Sequence, residues 1–340
     1  MRRYGFLNTI ASRFSFTKLL HANPHQIIPL FYHAVGNVED SSHLKGLYQV
    51  PSAHQFEKDI DFILKYLQPI ELTTLIEHTN GKTLKGNEKY FFLSFDDGLN
   101  ECKEFIAPIL KRKGIPATFF INPDFVGRKI RFHRFTTNLL AQKILLEKNL
   151  SLEVAVNDVL GTREKHSKST AAQLLTIRYN QQDKLEALEK ILYDFMGTEL
   201  NAQKAYMNKE DIQDLVNAGF TIGAHSLDHP EYYLLSEEEQ LRQTIESVKL
   251  VSDWFNVSYR AFSFPFTDVG VKSSFFERLN KEFPLDITFG SSGLKKDTLA
   301  NHIHRIPMDD IALEAELRLK TELLYYQLKR PFGKNIYKRS

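Results

Sequence analysis

The chain has 340 residues, 42% hydrophobic and 25% charged, with a formal net charge of +2. This composition is that of a folded globular protein rather than a disordered one, and the lack of a long basic block argues against nucleic acid as a partner. A single cysteine, Cys102, excludes an intrachain disulfide and a cysteine-rich zinc site. It reads as a packing residue.

The N-terminal segment, residues 1–26, is basic and predicts a weakly amphipathic helix over 4–20, docked on the body or lying on a membrane surface. Arg13 and Lys18 interrupt the stretch where a secretory apolar core would run. No stretch reaches the roughly 18 apolar residues needed to span a bilayer. The expected location is therefore cytoplasmic or membrane-peripheral.

Residues 27–33 predict a first strand ending at His33. A helix over 52–67 follows, capped by Ser52 and carrying Phe56, Ile60, Ile63 and Leu67 on one stripe. Tyr90 to Phe95 is a continuous apolar run, the mark of a strand buried on both faces of a parallel sheet. A helix over 101–113, stopped by Gly114, and a strand over 117–121 complete a βαβ unit. Residues 131–217 show mainly helical spacing, too long for one crossover, and predict a helical insertion serving as a wall, a lid or bulk. Strands at 220–225, 260–266, 286–289 and 304–307 alternate with helices at 236–255, 273–283 and 309–328. The alternation predicts an α/β fold, a parallel barrel spanning 27–308, followed by a helix and a basic tail over 309–340.

The organising strand ends on Asp96-Asp97-Gly98, on the edge where α/β folds place their ligands. Two adjacent carboxylates are costly to bury without a cation or hydrogen-bond donors. His225 and His229, in Gly223-Ala224-His225-Ser226-Leu227-Asp228-His229-Pro230, end another strand. Pro230 disfavours a helix at His229 and favours a turn. Glutamate does not follow the first histidine, so the zincin pattern fails. Two histidines plus one carboxylate from the acidic pair make a metal site with open positions.

The segments Ser94-Phe95-Asp96-Asp97-Gly98 and His225-Ser226-Leu227-Asp228-His229-Pro230 resemble the first two motifs of the polysaccharide deacetylase family, carbohydrate esterases that share the chitooligosaccharide-deacetylase homology domain. The resemblance spans roughly 27–308. It implies a distorted (β/α)7-type barrel and hydrolysis of acetyl groups, chiefly N-acetyl, from a sugar of a surface or extracellular polysaccharide or its precursor. It also implies that Asp97, His225 and His229 hold a divalent metal, usually zinc, while Asp96 takes the proton of a metal-bound water.

The third motif departs from the family. Phe262-Ser263-Phe264-Pro265-Phe266 lacks the usual arginine and tyrosine, so Asp96 is expected to have a raised pKa. Pro265 and the N–H of Phe266 are assigned to the acyl pocket and oxyanion site. The general acid is assigned to His302, with His304 as the alternative. His33 either lines the site or caps the barrel. The final basic run, including Arg339, reads as a solvated tail. Competing readings are a deformylase or amidase on a nucleotide- or lipid-linked sugar, and a non-catalytic glycan-binding relative.

Overall fold

A computed structural model describes residues 5–36, 43–127, 132–162, 167–202 and 205–339. Arg2, Arg3 and Tyr4 of the basic N-terminal segment lie outside them. The predicted N-terminal helix is two short helices, α1 (Gly5–Ala11) and α2 (Phe16–Ala22), which pack on the last long helix of the chain.

The strands follow as β1 (Ile27–Tyr32), β2 (Gln68–Pro69), β3 (Tyr90–Phe95), β4 (Thr118–Ile121), β5 (Thr221–Ala224), β6 (Ala261–Ser263), β7 (Ile287–Gly290), β8 (Lys296–Asp297), β9 (His302–His304), β10 (Ile306–Pro307) and β11 (Ile336–Tyr337). The main sheet runs β10-β1-β3-β4-β5-β6-β7-β9, every pairing parallel, with β2 added beside β3. Its two edge strands, β9 and β10, are consecutive in the chain, separated only by Arg305. The segment 302–307 thus pairs with β7 through its first half and with β1 through its second, which nearly closes the barrel. The single final strand expected over 304–307 is this broken strand, beginning earlier.

All six residues of β3 are buried, as its unbroken apolar run requires. The barrel interior is filled by Phe92, Phe120, Ile287 and Phe289. Outside it, α3 (Ala53–Leu64) begins where Ser52 accepts a hydrogen bond from Gln55 N, and buries Phe56, Ile60 and Ile63. The helix expected over 101–113 opens instead as a π-turn, Cys102–Ile106, before a regular helix, Ala107–Lys113. Pro108 has no N–H for the carbonyl four residues back, which favours the wider turn. Cys102 is fully buried, and burial raises its thiol pKa further.

Among the described residues between β4 and β5, the helices His133–Glu147, Leu150–Leu160, Ser167–Leu174 and Gln182–Ala202 share a separate apolar cluster that includes Leu140, Ile144, Leu152, Val156, Leu174 and Leu188. The next helix, Lys209–Asn217, packs on β5 and on Glu237–Phe255, as a barrel helix does. The closing helix runs over Ala315–Lys329 and not from 309. Asp309 is occupied with the end of β1, accepting a hydrogen bond from His33 N at 2.9 Å. The tail is not solvated throughout: β11 pairs with β8, and the Arg339 side chain is 2% exposed.

Candidate active site

The chain turns sharply at the strand ends that carry Asp97 and His225. Asp97 and Gly98, at the end of β3, have φ of 76° and 66°. In the turn after β5, Ser226 and His229 have φ of 66° and 60°. Such left-handed backbone is costly for non-glycine residues and persists where surrounding bonds hold it. Asn122, at the end of β4, provides one such hold by donating from Nδ2 to the carbonyl of His225 and, at 3.3 Å, to Ser226 O. Ser226 Oγ accepts from His229 N at 3.0 Å, which closes the turn.

These turns bring Asp97, His225 and His229 together. Asp97 Oδ1 lies 3.3 Å from His225 Nε2 and 3.0 Å from His229 Nε2, and has no hydrogen-bond partner among the described residues. The other ring nitrogen of His225 is 2.8 Å from Ser263 O, which fixes the ring. Asp97 Oδ2 accepts from Tyr48 OH at 2.6 Å, leaving Oδ1 to face the histidines. Burial opposes ionisation of Asp97, but His229 and His225 hold its carboxyl well below the usual range. Burial, with His225 and His33, lowers the His229 pKa against the pull of Asp97, keeping the ring neutral. An ionised carboxylate and neutral imidazoles are the forms that ligate metal. The spacing fits as well, since ligand atoms at tetrahedral zinc lie about 3.4 Å apart.

Asp96 faces the barrel interior, where Arg305 meets it. Arg305 Nη1 donates to Asp96 Oδ1 at 2.8 Å and Nη2 to Oδ2 at 2.7 Å. The same guanidinium donates to Ser94 Oγ at 2.8 Å and Ser263 Oγ at 2.6 Å, and lies 4.4 Å from the Phe31 ring centroid. The expected rise in Asp96 pKa is therefore corrected. Burial pushes it up, but the charge of Arg305, with His225 and hydrogen bonding, brings it below the usual carboxylate value. The missing arginine comes from the break between β9 and β10, not from the third motif.

A cavity of about 860 Å³ opens onto Asp97 and His229 and is lined also by His33, Tyr48, Phe266 and Asp309. His33 Nδ1 is 2.7 Å from Asp309 Oδ2. Burial opposes protonation of His33, but Asp309, with Asp97 and Asp96 beyond, raises its pKa to about 9. Phe266, with φ of 55°, packs edge-on against His229 at 4.6 Å between centroids. Pro265 precedes it and is buried.

His302 and His304 are placed elsewhere. Both are fully buried beside Asp268 and Asp297 and neither lines the cavity. Alternation put them on one side of their strand, and that side faces away from the barrel interior; Arg305 occupies the interior side. The sequence reading passed over Arg305, Tyr48 and Asp309. For Arg305 the alternation was a usable signal, since a charged residue pointing into a barrel requires a counter-charge.

The helical segment between β4 and β5 reaches the turn that carries His229. Asp228 accepts from Tyr179 OH at 2.6 Å, and Glu231 accepts from Arg134 at 3.2 Å, Arg178 at 3.1 Å and Tyr179 N at 3.0 Å. Phe132 packs against the His229 ring at 4.5 Å. His133 is buried near Glu231, and burial lowers its pKa to about 3 despite that carboxylate.

The family model for polysaccharide deacetylase matches residues 83–156 and 193–280, segments that carry both motifs. The chain belongs to the polysaccharide deacetylase family, hydrolases of carbon–nitrogen bonds in acetylated polysaccharide. No curated protein matches the sequence. Among solved structures, the fold is similar to IcaB from Ammonifex degensii (15% identity, TM-score 0.55, covering 87% of this chain and 98% of that one). It is also similar to the deacetylase PplD from Streptococcus pyogenes (14%, 0.53, 88% and 99%) and to a de-N-acetylase from Aggregatibacter actinomycetemcomitans (15%, 0.50, 86% and 99%). At these identities the likeness is one of fold. Among the described residues no helix is long and apolar enough to cross a membrane.

Proposed function

We propose that this chain is a metal-dependent deacetylase that removes N-acetyl groups from a sugar of a surface or extracellular polysaccharide or its precursor. The observation that carries the reading is the Asp97–His225–His229 cluster, of which Asp97 and His229 line a cavity that the His33–Asp309 pair also lines. Asp97, His225 and His229 would hold the ion, zinc being the metal their donor set suits best. When bound it supplies Lewis acidity, which polarises an acyl oxygen and lowers the pKa of water toward neutral.

Asp96 is the proton acceptor for the attacking water. Arg305 keeps it ionised at neutral pH and fixes its plane. The N–H of Phe266, on a positive-φ turn at the cavity edge, is directed to the oxyanion, with Pro265 shaping the acyl pocket. His33 supplies the proton to the leaving amine. This assignment replaces His302 and His304, because His33 lines the cavity, is protonated at neutral pH and is oriented by a carboxylate.

Acetate release from N-acetylated and O-acetylated glycans, polymeric and short, tests the reading, with Asp96→Asn and His33→Ala as controls. Each variant is expected to retain metal and lose turnover by roughly 10²–10⁴-fold. Metal binding by the wild-type chain without release of any acyl group would sink the proposal.

A further inference from the structure

On the far side of β9 from the barrel interior lies a second histidine–carboxylate cluster. Asp268, Asp297, His302 and His304 are all buried, and one ligand atom from each falls within 4.8 Å of the others. The arrangement is directional. His302 Nδ1 is 2.8 Å from Thr288 Oγ1, which leaves Nε2 facing Asp268 Oδ2 at 3.4 Å. His304 Nε2 is 3.0 Å from Asp297 Oδ2, which leaves Nδ1 facing Asp268 Oδ1 at 3.7 Å. Each ring is thus fixed by one nitrogen and turns the other toward the same carboxylate. His302 Nε2, His304 Nδ1 and Asp268 Oδ1 have no hydrogen-bond partner among the described residues.

Metal-binding histidines are characteristically held this way, with the second nitrogen on a carboxylate or other polar atom. Unsatisfied buried polar atoms are otherwise expensive, and here three of them converge. The neighbouring glycine is part of the arrangement. A Cβ on Gly290 would come within 2.4 Å of Asp268 Oδ1 and 2.6 Å of His304 Nδ1, so only glycine leaves those two atoms their positions. Arg339 Nη2 lies 2.8 Å from Oδ2 of both aspartates and answers one of their two charges.

We infer that Asp268, His302 and His304 bind a second divalent transition-metal ion of zinc type, with Thr288 and Asp297 orienting the two rings and Arg339 covering the site. Two imidazoles and a carboxylate select such an ion over calcium or magnesium. Full burial makes the site structural. It fastens the loop that follows Phe266 to the strand that precedes Arg305, and so joins two parts of the candidate active site from behind.

Zinc content per chain, measured by elemental analysis on the 340-residue chain after zinc loading and gel filtration, tests the inference. Wild-type protein is expected to hold two zinc ions, His229→Ala one, His302→Gln one, and the double variant none. Zinc-free His229→Ala protein, or His302→Gln protein with undiminished zinc, would overturn it. Should His302→Gln not fold, cobalt(II) added to His229→Ala decides: visible d–d absorption from one bound equivalent supports the second site, and its absence overturns it. Wild-type protein with one zinc lost only in His302→Gln would support this site and sink the metal-centred reading of Asp97, so the two failures are distinct.

Discussion

Arg305 and Asp96 stand 209 residues apart in sequence, yet two hydrogen bonds of 2.8 and 2.7 Å join them face to face inside the barrel. Both side chains are almost wholly buried, so neither charge has water to fall back on. Replacing Arg305 by methionine leaves an unpaired buried carboxylate and should destabilise the fold by about 3–5 kcal/mol. In surviving protein the Asp96 pKa rises, so the acid limb of the pH–rate profile moves to higher pH. Denaturant melts and the profile check both parts; an unmoved acid limb would show that Asp96 is not the titrating base.

His33 and Asp309 give the opposite limb. The His33 pKa is raised to about 9, so activity that needs its proton is lost as pH rises through that value. Asp309→Asn removes the main raising influence and should bring the alkaline limb down. The stability sign is the same: a raised folded-state pKa contributes fully below the ordinary histidine value of 6.5 and fades as pH rises through about 9. Thermal melts of wild type and Asp309→Asn should therefore differ most just below pH 6.5, less as pH rises, and converge in alkali.

Tyr48 occupies one oxygen of Asp97 and leaves the other facing His225 and His229. Tyr48→Phe keeps the ring and frees Oδ2, and should weaken metal binding by roughly 10–100-fold. Competition against a chromophoric chelator measures this directly. Unchanged affinity would mean that the hydroxyl is dispensable for ordering the ligand.

The helices between β4 and β5 hold the residues on either side of His229 through Tyr179–Asp228 and the Arg134, Arg178 and Tyr179 contacts to Glu231. Tyr179→Phe should lower metal affinity by about 10-fold with little change in apo-protein melting. A lower melting temperature with unchanged affinity would mark the contact as purely structural. In this arrangement the segment braces the turn that carries His229, and through Phe132 and Arg134 it also lines the cavity.

Much of this was readable along the chain, because its strands carry short-range signals. The apolar run of β3 forced a doubly buried strand, and Asp96-Asp97 beside a His-x-x-x-His-Pro turn restricted the chemistry. Ser52 and Gly114 marked helix ends by local bonding. What escaped depends on which distant residues meet. Tyr48 lies in an irregular segment with no periodicity. Asp309 looked like the start of a helix, whereas its carboxylate is engaged with His33. His302 and His304 lie in the region where the family's fifth motif supplies a histidine, but the pleat turns them outward and presents Arg305 inward. Arg339 seemed one more cation in a basic tail, and only the pairing of β11 with β8 puts it beside two carboxylates.

The near-closure of the barrel through the segment around Arg305 bears on how the protein is made. β1 is synthesised early but pairs with β10, and His33 waits for Asp309, 276 residues later. Asp96 likewise stays without its guanidinium until the segment between β9 and β10 has left the ribosome. Such sequence-distant closure is slow and leaves an unpaired edge exposed in the interim. A nascent chain can build the turns that carry Asp97, His225 and His229 before Arg305 and Asp309 reach their partners, so the candidate site is assembled in full only after the segment 302–309 has been made.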